Sequence, residues 1–520
     1  MSQAVWQLAR FRGNVAARPK ADTVSTQTPD SAPSSLPDEQ SGFRKALRPR
    51  QIQMIAIGGA IGTGLFMGAG GRLESAGPAL VVVYAVCAFF AFLVLRALGE
   101  LIVHRPSSGS FVSYAREFYG EKMAFFAGWM YWLNWAMTSV ADVTAVALYM
   151  NFFKQYVAWL AAIDQWVFAL VALVLVLGMN LLSVKVFGEL EFWFALVKVL
   201  ALVAFLVVGV FFVVTGTPVD GVAPGFHLIA DNGGVFPNGV LAAFIVIQGV
   251  VFAYASIELV GTAAGETQDA RTVMPKAIRT VVFRLVVFYV GSVLLFTLLM
   301  PTTSYAAGES PFVTFFGAIG VEGADIIMNL VVLTAVLSSL NAGLYSTGRI
   351  LHSMAVSGSA PAALARMNRA GVPYMGIAVT AVVTAIGVAL NAVVPEQAFE
   401  IALNVSALGI ISAWAVIVLC QLKLRSLAER GALERPAFRM PGAPYTGYAT
   451  LVFLGAVVVL MALDYPIGSA TVASLVLIVP ALIAGWFLSR DRIRALTAER
   501  TGTLAALAHR ATATRSGRAE

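Results

Sequence analysis

The sequence predicts an all-helical protein that crosses a membrane twelve times. Three observations carry that prediction. Hydrophobic residues make up 59% of the 520 and charged residues 12%, and the mean hydropathy is +0.81; a soluble chain of this length could not cover so apolar a surface. Apolar runs of about 20 residues, the length a spanning helix needs, recur along the chain. The positive charge is also placed on one side. With both termini in the cytosol, 32 of the 35 Lys and Arg fall in the cytoplasmic segments or at the span ends that adjoin them, Arg72 and Lys154 fall on the outer side, and Lys198 falls within a span, which is the positive-inside pattern.

The spans are read at 51–73, 79–100, 122–152, 165–184, 190–215, 237–262, 280–302, 324–351, 372–394, 397–422, 447–464 and 469–489. Residues 1–43, rich in Ser, Pro, Ala and Thr, form a disordered cytoplasmic tail. Residues 44–490 form the twelve-helix domain and 491–520 a polar cytoplasmic tail. Arg44, Lys45, Arg48 and Arg50 at one end, and Arg490, Arg492 and Arg494 at the other, then lie beside anionic membrane lipid. That placement accounts for the net charge of +7 without nucleic acid.

The first span carries Gly58-Gly59-Ala60-Ile61-Gly62-Thr63-Gly64-Leu65-Phe66. Glycine weakens a helix interior, and an unpaired backbone group is costly in lipid. Broken backbone is tolerated where it lines a cavity, as in the substrate sites of secondary transporters. Close packing through small residues makes the same demand, and this motif alone leaves both open. Read as a site, the amides of Ile61, Gly62, Thr63, Gly64 and Leu65 suit a carboxylate. Carbonyls of Ala60, Ile61, Phe252 and Ala253 suit an ammonium.

The second span ends with Glu100, which reads as a loop-pairing carboxylate, and residues 102–121 as a polar turn and an amphipathic helix. The third span puts Trp135, Thr138 and Asp142 on one face. An intramembrane carboxylate is costly and so either functional or internally paired. Lys198 lies several residues inside the fifth span, with Glu191 about two turns away; it either snorkels to the edge or acts inside. A second interruption falls at Phe252-Ala253-Tyr254-Ala255-Ser256-Ile257-Glu258, followed by Gly261 and Glu266. Phe252 and Tyr254 read as pocket wall or as helix packing. Glu258 is a titrating group or a structural acceptor, and Glu266 pairs with loops.

External loops are expected at 216–236 and at 303–322, the second long enough for a short lid helix. Ser338, Asn341 and Tyr345 form one stripe of the eighth span, suited to reading a side-chain amide or to bonding between helices. Asn404 is a weaker example of the same kind. Cys87 and Cys420 lie inside spans, so no disulfide framework is expected, and the four His show no metal spacing. No Walker-type loop and no nucleophile–base pair is present. The sequence therefore predicts no enzyme, no metal and no cofactor.

The two interrupted spans, first and sixth, open two five-helix units, the spacing an inverted repeat requires. In these residues the chain resembles the amino acid–polyamine–organocation superfamily. That resemblance implies a LeuT-like 5+5 inverted repeat plus two extra helices. The family usually has Gly where this chain has Ser256, and often Thr where it has Ile257. Arg96-Ala97-Leu98-Gly99-Glu100-Leu101, Glu189-Leu190-Glu191-Phe192-Trp193-Phe194-Ala195 and Leu344-Tyr345-Ser346-Thr347-Gly348-Arg349 are similar to its bacterial and fungal amino acid transporter branch. His104 to Glu117, Asn134-Trp135-Ala136-Met137-Thr138 and Phe252 to Glu258 resemble the bacterial L-asparagine permeases within it. The likeness covers about 42–490.

It implies a multi-pass permease of the bacterial inner membrane that imports L-asparagine by proton symport and alternating access, driven by the proton gradient alone. A D-serine, D-alanine and glycine carrier is the neighbouring alternative, and a transporter-like amino acid receptor the alternative from another class. The implied substrate site is Ala60, Ile61, Gly62, Thr63, Gly64, Leu65, Phe252, Ala253, Tyr254, Ala255 and Ser256, with Ser338 and Asn341. Proton coupling is assigned to Lys198, standing where sodium-driven cousins hold their ion, with Glu258 and Asp142.

Overall fold

The structure, a computed structural model, describes residues 61–107, 110–182, 184–259, 278, 283 and 285–516. Gly58, Gly59 and Ala60, and Gly261 and Glu266, lie outside the described residues. The regular elements are helices, and among the described residues nine are long and apolar enough to cross a membrane. Two shorter apolar helices, Val240–Ala253 and Val286–Leu299, fall where the sixth and seventh spans are expected. The chain is an all-α polytopic membrane protein.

The first expected span is broken in its described part. After extended Gly62 comes a four-residue turn, α1 (Thr63–Phe66), then Met67 and α2 (Gly68–Ala76). A turn at Gly77–Ala79 leads into α3 (Leu80–His104). Next come α4 (Ser110–Tyr119), α5 (Glu121–Phe152), α6 (Gln165–Leu182) and α7 (Val184–Thr215). The sixth expected span is two short pieces, α8 (Val240–Ile245) and α9 (Ile247–Ala253), followed by turns. The long helices after it are α10 (Ala324–Val356), α11 (Tyr374–Val393), α12 (Ala398–Glu429), α13 (Tyr445–Leu463) and α14 (Leu475–Ser516). The loop at 303–322 holds the helix Pro311–Ala318.

Helix α5 is the centre of the body, packed between α10 and α12. Lipid offers no hydrophobic drive between helices, so close approach and hydrogen bonds must hold them. A Cβ on Gly409 of α12 would come within 2.6 Å of the Asn134 Cβ and 2.7 Å of the Met130 carbonyl, so only glycine allows this crossing. Ser406, one turn before it, donates to the Asn134 carbonyl (3.0 Å) and pairs with Thr138 (2.9 Å). The apolar part of α14 is by contrast scarcely buried, as a helix at the lipid boundary would be.

Both ends of the body are tied by charge. Glu100, near the end of α3, is fully buried and accepts from Gln421 Nε2 (2.9 Å), Arg435 Nε (2.9 Å) and the Met440 amide (2.7 Å). The segment between α12 and α13 is thereby strapped to α3, in the loop-pairing role expected for this carboxylate. Arg72, at the opposite end, is placed by sequence in an external loop, yet it is buried at 5% exposure. Its guanidinium bonds the Gly68 carbonyl and pairs with Glu400 at 3.2 Å, which joins α2 to α12.

The amphipathic helix α4 buries Phe111, Tyr114 and Ala115 and clasps the end of α3 through Glu117. Glu117 lies 3.1 Å from His104 Nε2 and 2.8 Å from Arg105 Nε. Burial pushes its carboxyl up, but hydrogen bonds from His104 and Arg105 and the Arg105 charge more than offset it, holding it below the usual 4.5. A carboxyl held low stabilises the fold fully above pH 4.5 and loses that contribution as the pH falls through its lowered value. Glu117→Gln is therefore expected to lower Tm at neutral pH and to flatten the decline of Tm in acid. A melting series in detergent checks this; an unchanged acid slope would contradict it.

Candidate functional site

The two broken helices meet. The Cα of Gly64 in α1 lies against the backbone of Ala253 at the end of α9, so close that a Cβ would sit 2.6 Å from the Ala253 Cα. Gly64 is thus a contact glycine, and the contact is between the two interruptions themselves. Past Ala253 the chain leaves the helix in turns, with Ser256 at φ 76°, a left-handed conformation. For a residue with a Cβ that conformation costs about 1–2 kcal/mol. Ser256→Gly should keep uptake and stay within about 1 kcal/mol of wild-type stability. Ser256→Val, β-branched at positive φ, should lose uptake; a functional, well-folded valine variant would show that the turn is not required.

One of three buried charges touches α1. Thr63 Oγ1 donates to Asp142 Oδ1 of α5 at 2.5 Å. Asp142 is fully buried, with Ser339 and Lys198 as its other neighbours. Lys198 of α7, 1% exposed, does not reach an edge; its ammonium faces Glu191 and Asp142. Glu191, two turns earlier on the same face of α7, is fully buried and accepts from Ser338 Oγ of α10 at 2.8 Å. Hydrogen bonds tie the broken first helix to α5 and α7 to α10, and the Lys198 charge acts on the carboxylates of both pairs. Fully ionised, two carboxylates against one ammonium would give this group one surplus negative charge.

Ser338 and Asn341 thus meet protein groups rather than standing clear. Asn341 Oδ1 accepts from Asn180 of α6 at 2.8 Å, and Asn341 also stands beside Glu191. Tyr254 is fully buried, stacks on Tyr289 (4.8 Å) and donates its hydroxyl to the Tyr84 carbonyl at 3.0 Å. Phe252 and Ala253 are buried at the end of α9, and Ala255 lies partly exposed in the turn. Glu258 belongs to another group: Tyr131 donates to it at 3.1 Å, and Trp414 of α12 stands beside it. Ile61 and Leu65 are buried, and Ala60 lies outside the described residues. Asn404 donates to the Glu400 carbonyl of its own helix at 2.8 Å.

Sequence reasoning missed Glu191 as a site residue. The signal was present: a carboxylate inside a span, seven residues before Lys198, falls on the same helix face two turns away.

Buried charges held inside a bundle of apolar helices, beside two interrupted helices in contact, mark a membrane carrier for small solutes rather than an enzyme. The chain belongs to the amino acid permease family, which residues 51–499 match. Among its relatives, L-asparagine permease 1 of Mycobacterium tuberculosis (strain CDC 1551 / Oshkosh) is 61% identical over 464 residues, covering 89% of this chain and 94% of the relative. The L-asparagine permease of Escherichia coli (strain K12) is 59% identical over 454 residues, 87% of this chain and 90% of the relative. That of Streptomyces coelicolor is 53% identical over 474 residues, 91% and 96%.

Proposed function

We propose that the chain imports L-asparagine across a bacterial inner membrane by proton symport, through alternating access. The twelve-span, 5+5 arrangement with both termini in the cytosol goes with this reading, supported by the Lys/Arg placement and the paired interruptions. The substrate assignment is supported by relatives of that name at 53% to 61% identity.

The observation that supports the mechanism is a pair of buried hydrogen bonds, Thr63 to Asp142 and Ser338 to Glu191, with the buried Lys198 charge acting on both carboxylates. The first amides of a helix have no partner within it, so the backbone at Ile61 to Gly64 suits the α-carboxylate of the substrate; the Leu65 amide, expected to join them, donates instead to the Gly62 carbonyl at 3.3 Å. Carbonyls around Ala60, Ile61, Phe252 and Ala253 suit its ammonium, with Phe252, Tyr254 and Ala255 as wall and Ser256 shaping the turn. A proton entering the Asp142–Lys198–Glu191 cluster cancels its surplus charge, and such groups titrate as a unit. Thr63 ties that charge change to α1, so loading the proton and reshaping the carboxylate site are one event. Glu258 joins α9 to α5 and α12 and serves as a second proton-sensitive link.

Uptake of labelled L-asparagine by purified protein in proteoliposomes tests the substrate. Unlabelled L-asparagine should compete strongly, and D-serine, D-alanine and glycine weakly. Equal competition by D-serine would move the assignment to that group of carriers, and binding without accumulation would make the protein a receptor.

A further inference from the structure

A groove of about 380 Å³ lies between the start of α5 and the apolar part of α14, away from the broken helices. Its walls are Phe125, Phe126, Val479, Ile483, Trp486 and Phe487, and its mouth carries Lys122, Arg490 and Arg494. Val479, Ile483 and Phe487 are exposed at 44%, 53% and 56%, so a long apolar slot opens sideways toward lipid. Val479 and Arg490 stand about 16 Å apart along a helix, close to the roughly 15 Å hydrocarbon depth of one leaflet. The slot therefore has the dimensions of an acyl chain with a cationic mouth at headgroup level.

Charge decides which lipid. At the mouth, exposed Asp491 forms ion pairs with Arg490 Nε (3.5 Å) and Arg494 (4.0 Å), so two of the three cations share one carboxylate. The Arg490 Nε is buried, and that pairing is too long and misaligned to be a hydrogen bond. Glu121, beside Lys122, is taken by Arg116 at 3.0 Å. One wall is also held by packing and hydrogen bonds: Phe125 packs edge-on against Trp486 (5.7 Å), and Arg492 bonds the carbonyls of Ala355 at the end of α10 (3.3 Å) and Ala360 beyond it (3.0 Å).

We propose that this groove binds an anionic phospholipid, its phosphate among Lys122, Arg490 and Arg494 and one acyl chain along Phe125, Ile483 and Trp486. Basic pockets between spanning helices recognise such headgroups. The lipid phosphate balances the cations that one exposed carboxylate leaves in excess, gives the Arg490 Nε a hydrogen-bond acceptor, and fastens α14, otherwise weakly packed, to α5. The assignment to the inner leaflet rests on the cytosolic placement of the C-terminus; binding itself does not.

The test uses the full-length protein in vesicles of phosphatidylcholine and phosphatidylglycerol, with either lipid brominated on its chains and present in both leaflets. The Trp486 contribution to fluorescence is the difference between wild type and Trp486→Phe. It should be quenched several-fold more by brominated phosphatidylglycerol than by brominated phosphatidylcholine, a preference that salt weakens. Combining Lys122→Gln, Arg490→Gln and Arg494→Gln should bring the ratio to one. Equal quenching of the Trp486 contribution by the two lipids, read without the charge variants, overturns the proposal. So does a ratio unchanged in the triple variant, or quenching by neither lipid, which would mean that protein fills the groove. Soluble glycerophosphate should leave the ratio unchanged; displacement by it would make the ligand a free phosphate compound instead.

Discussion

Gly64→Val abolishes uptake of labelled L-asparagine while the protein still inserts in the membrane at normal levels: that is the largest effect expected of a single substitution. Even a methyl at Gly64 would lie 2.6 Å from the Ala253 Cα and 3.1 Å from the Ala253 Cβ and backbone nitrogen. Backbone cannot yield as a flexible side chain can, so α1 and α9 must separate. Overpacking of this kind costs about 1–3 kcal/mol, which a large bundle survives. A carrier that must hold one substrate between the two separated pieces does not. Gly64→Ala should show a lesser loss in the same direction. Near-normal uptake by the valine variant would mean that the meeting of the two interruptions has no part in transport.

The second large effect concerns Lys198. Removing its ammonium takes from both Glu191 and Asp142 the opposite charge that acts on them, and breaking a buried pair costs about 3–5 kcal/mol unless a proton takes its place. Lys198→Ala should therefore lose accumulation driven by a pH gradient, and keep part of its substrate binding, because the carboxylate contacts assigned to α1 are backbone groups. Sodium should not restore transport, since the change creates no new oxygen cage. Lys198→Arg is the sharper variant. It keeps the charge beside Glu191 and Asp142, but a guanidinium does not release its proton in a protein. Transport should fail with it too, as measured by accumulation ratio in proteoliposomes. Wild-type accumulation by Lys198→Arg would remove Lys198 from proton coupling.

The helices were legible because apolar length is read directly from sequence: the expected span 122–152 is α5 within one residue, and 372–394 is α11 within two. The break in the first span was legible because Gly62 and Gly64 punctuate an apolar run. That at Tyr254 to Glu258 contains no Gly or Pro, and only its resemblance to a family motif and its odd polarity marked it. Partnerships between helices were the illegible part. Periodicity puts Asp142 on a face of α5, and Glu191 with Lys198 on a face of α7, but says nothing of how those faces rotate toward each other. Arg72 shows the same limit: it follows a short run of small residues and reads as a loop cation, whereas Glu400, far along the chain, draws it into the body.

The claim that proton entry and substrate entry are one event is tested most directly by proton flux. In weakly buffered proteoliposomes with no imposed gradient, adding L-asparagine outside should alkalinise the external medium at a rate that follows asparagine uptake. Lys198→Arg should abolish both together. Asparagine uptake with no movement of protons, or uptake that follows a sodium gradient instead, would contradict the account.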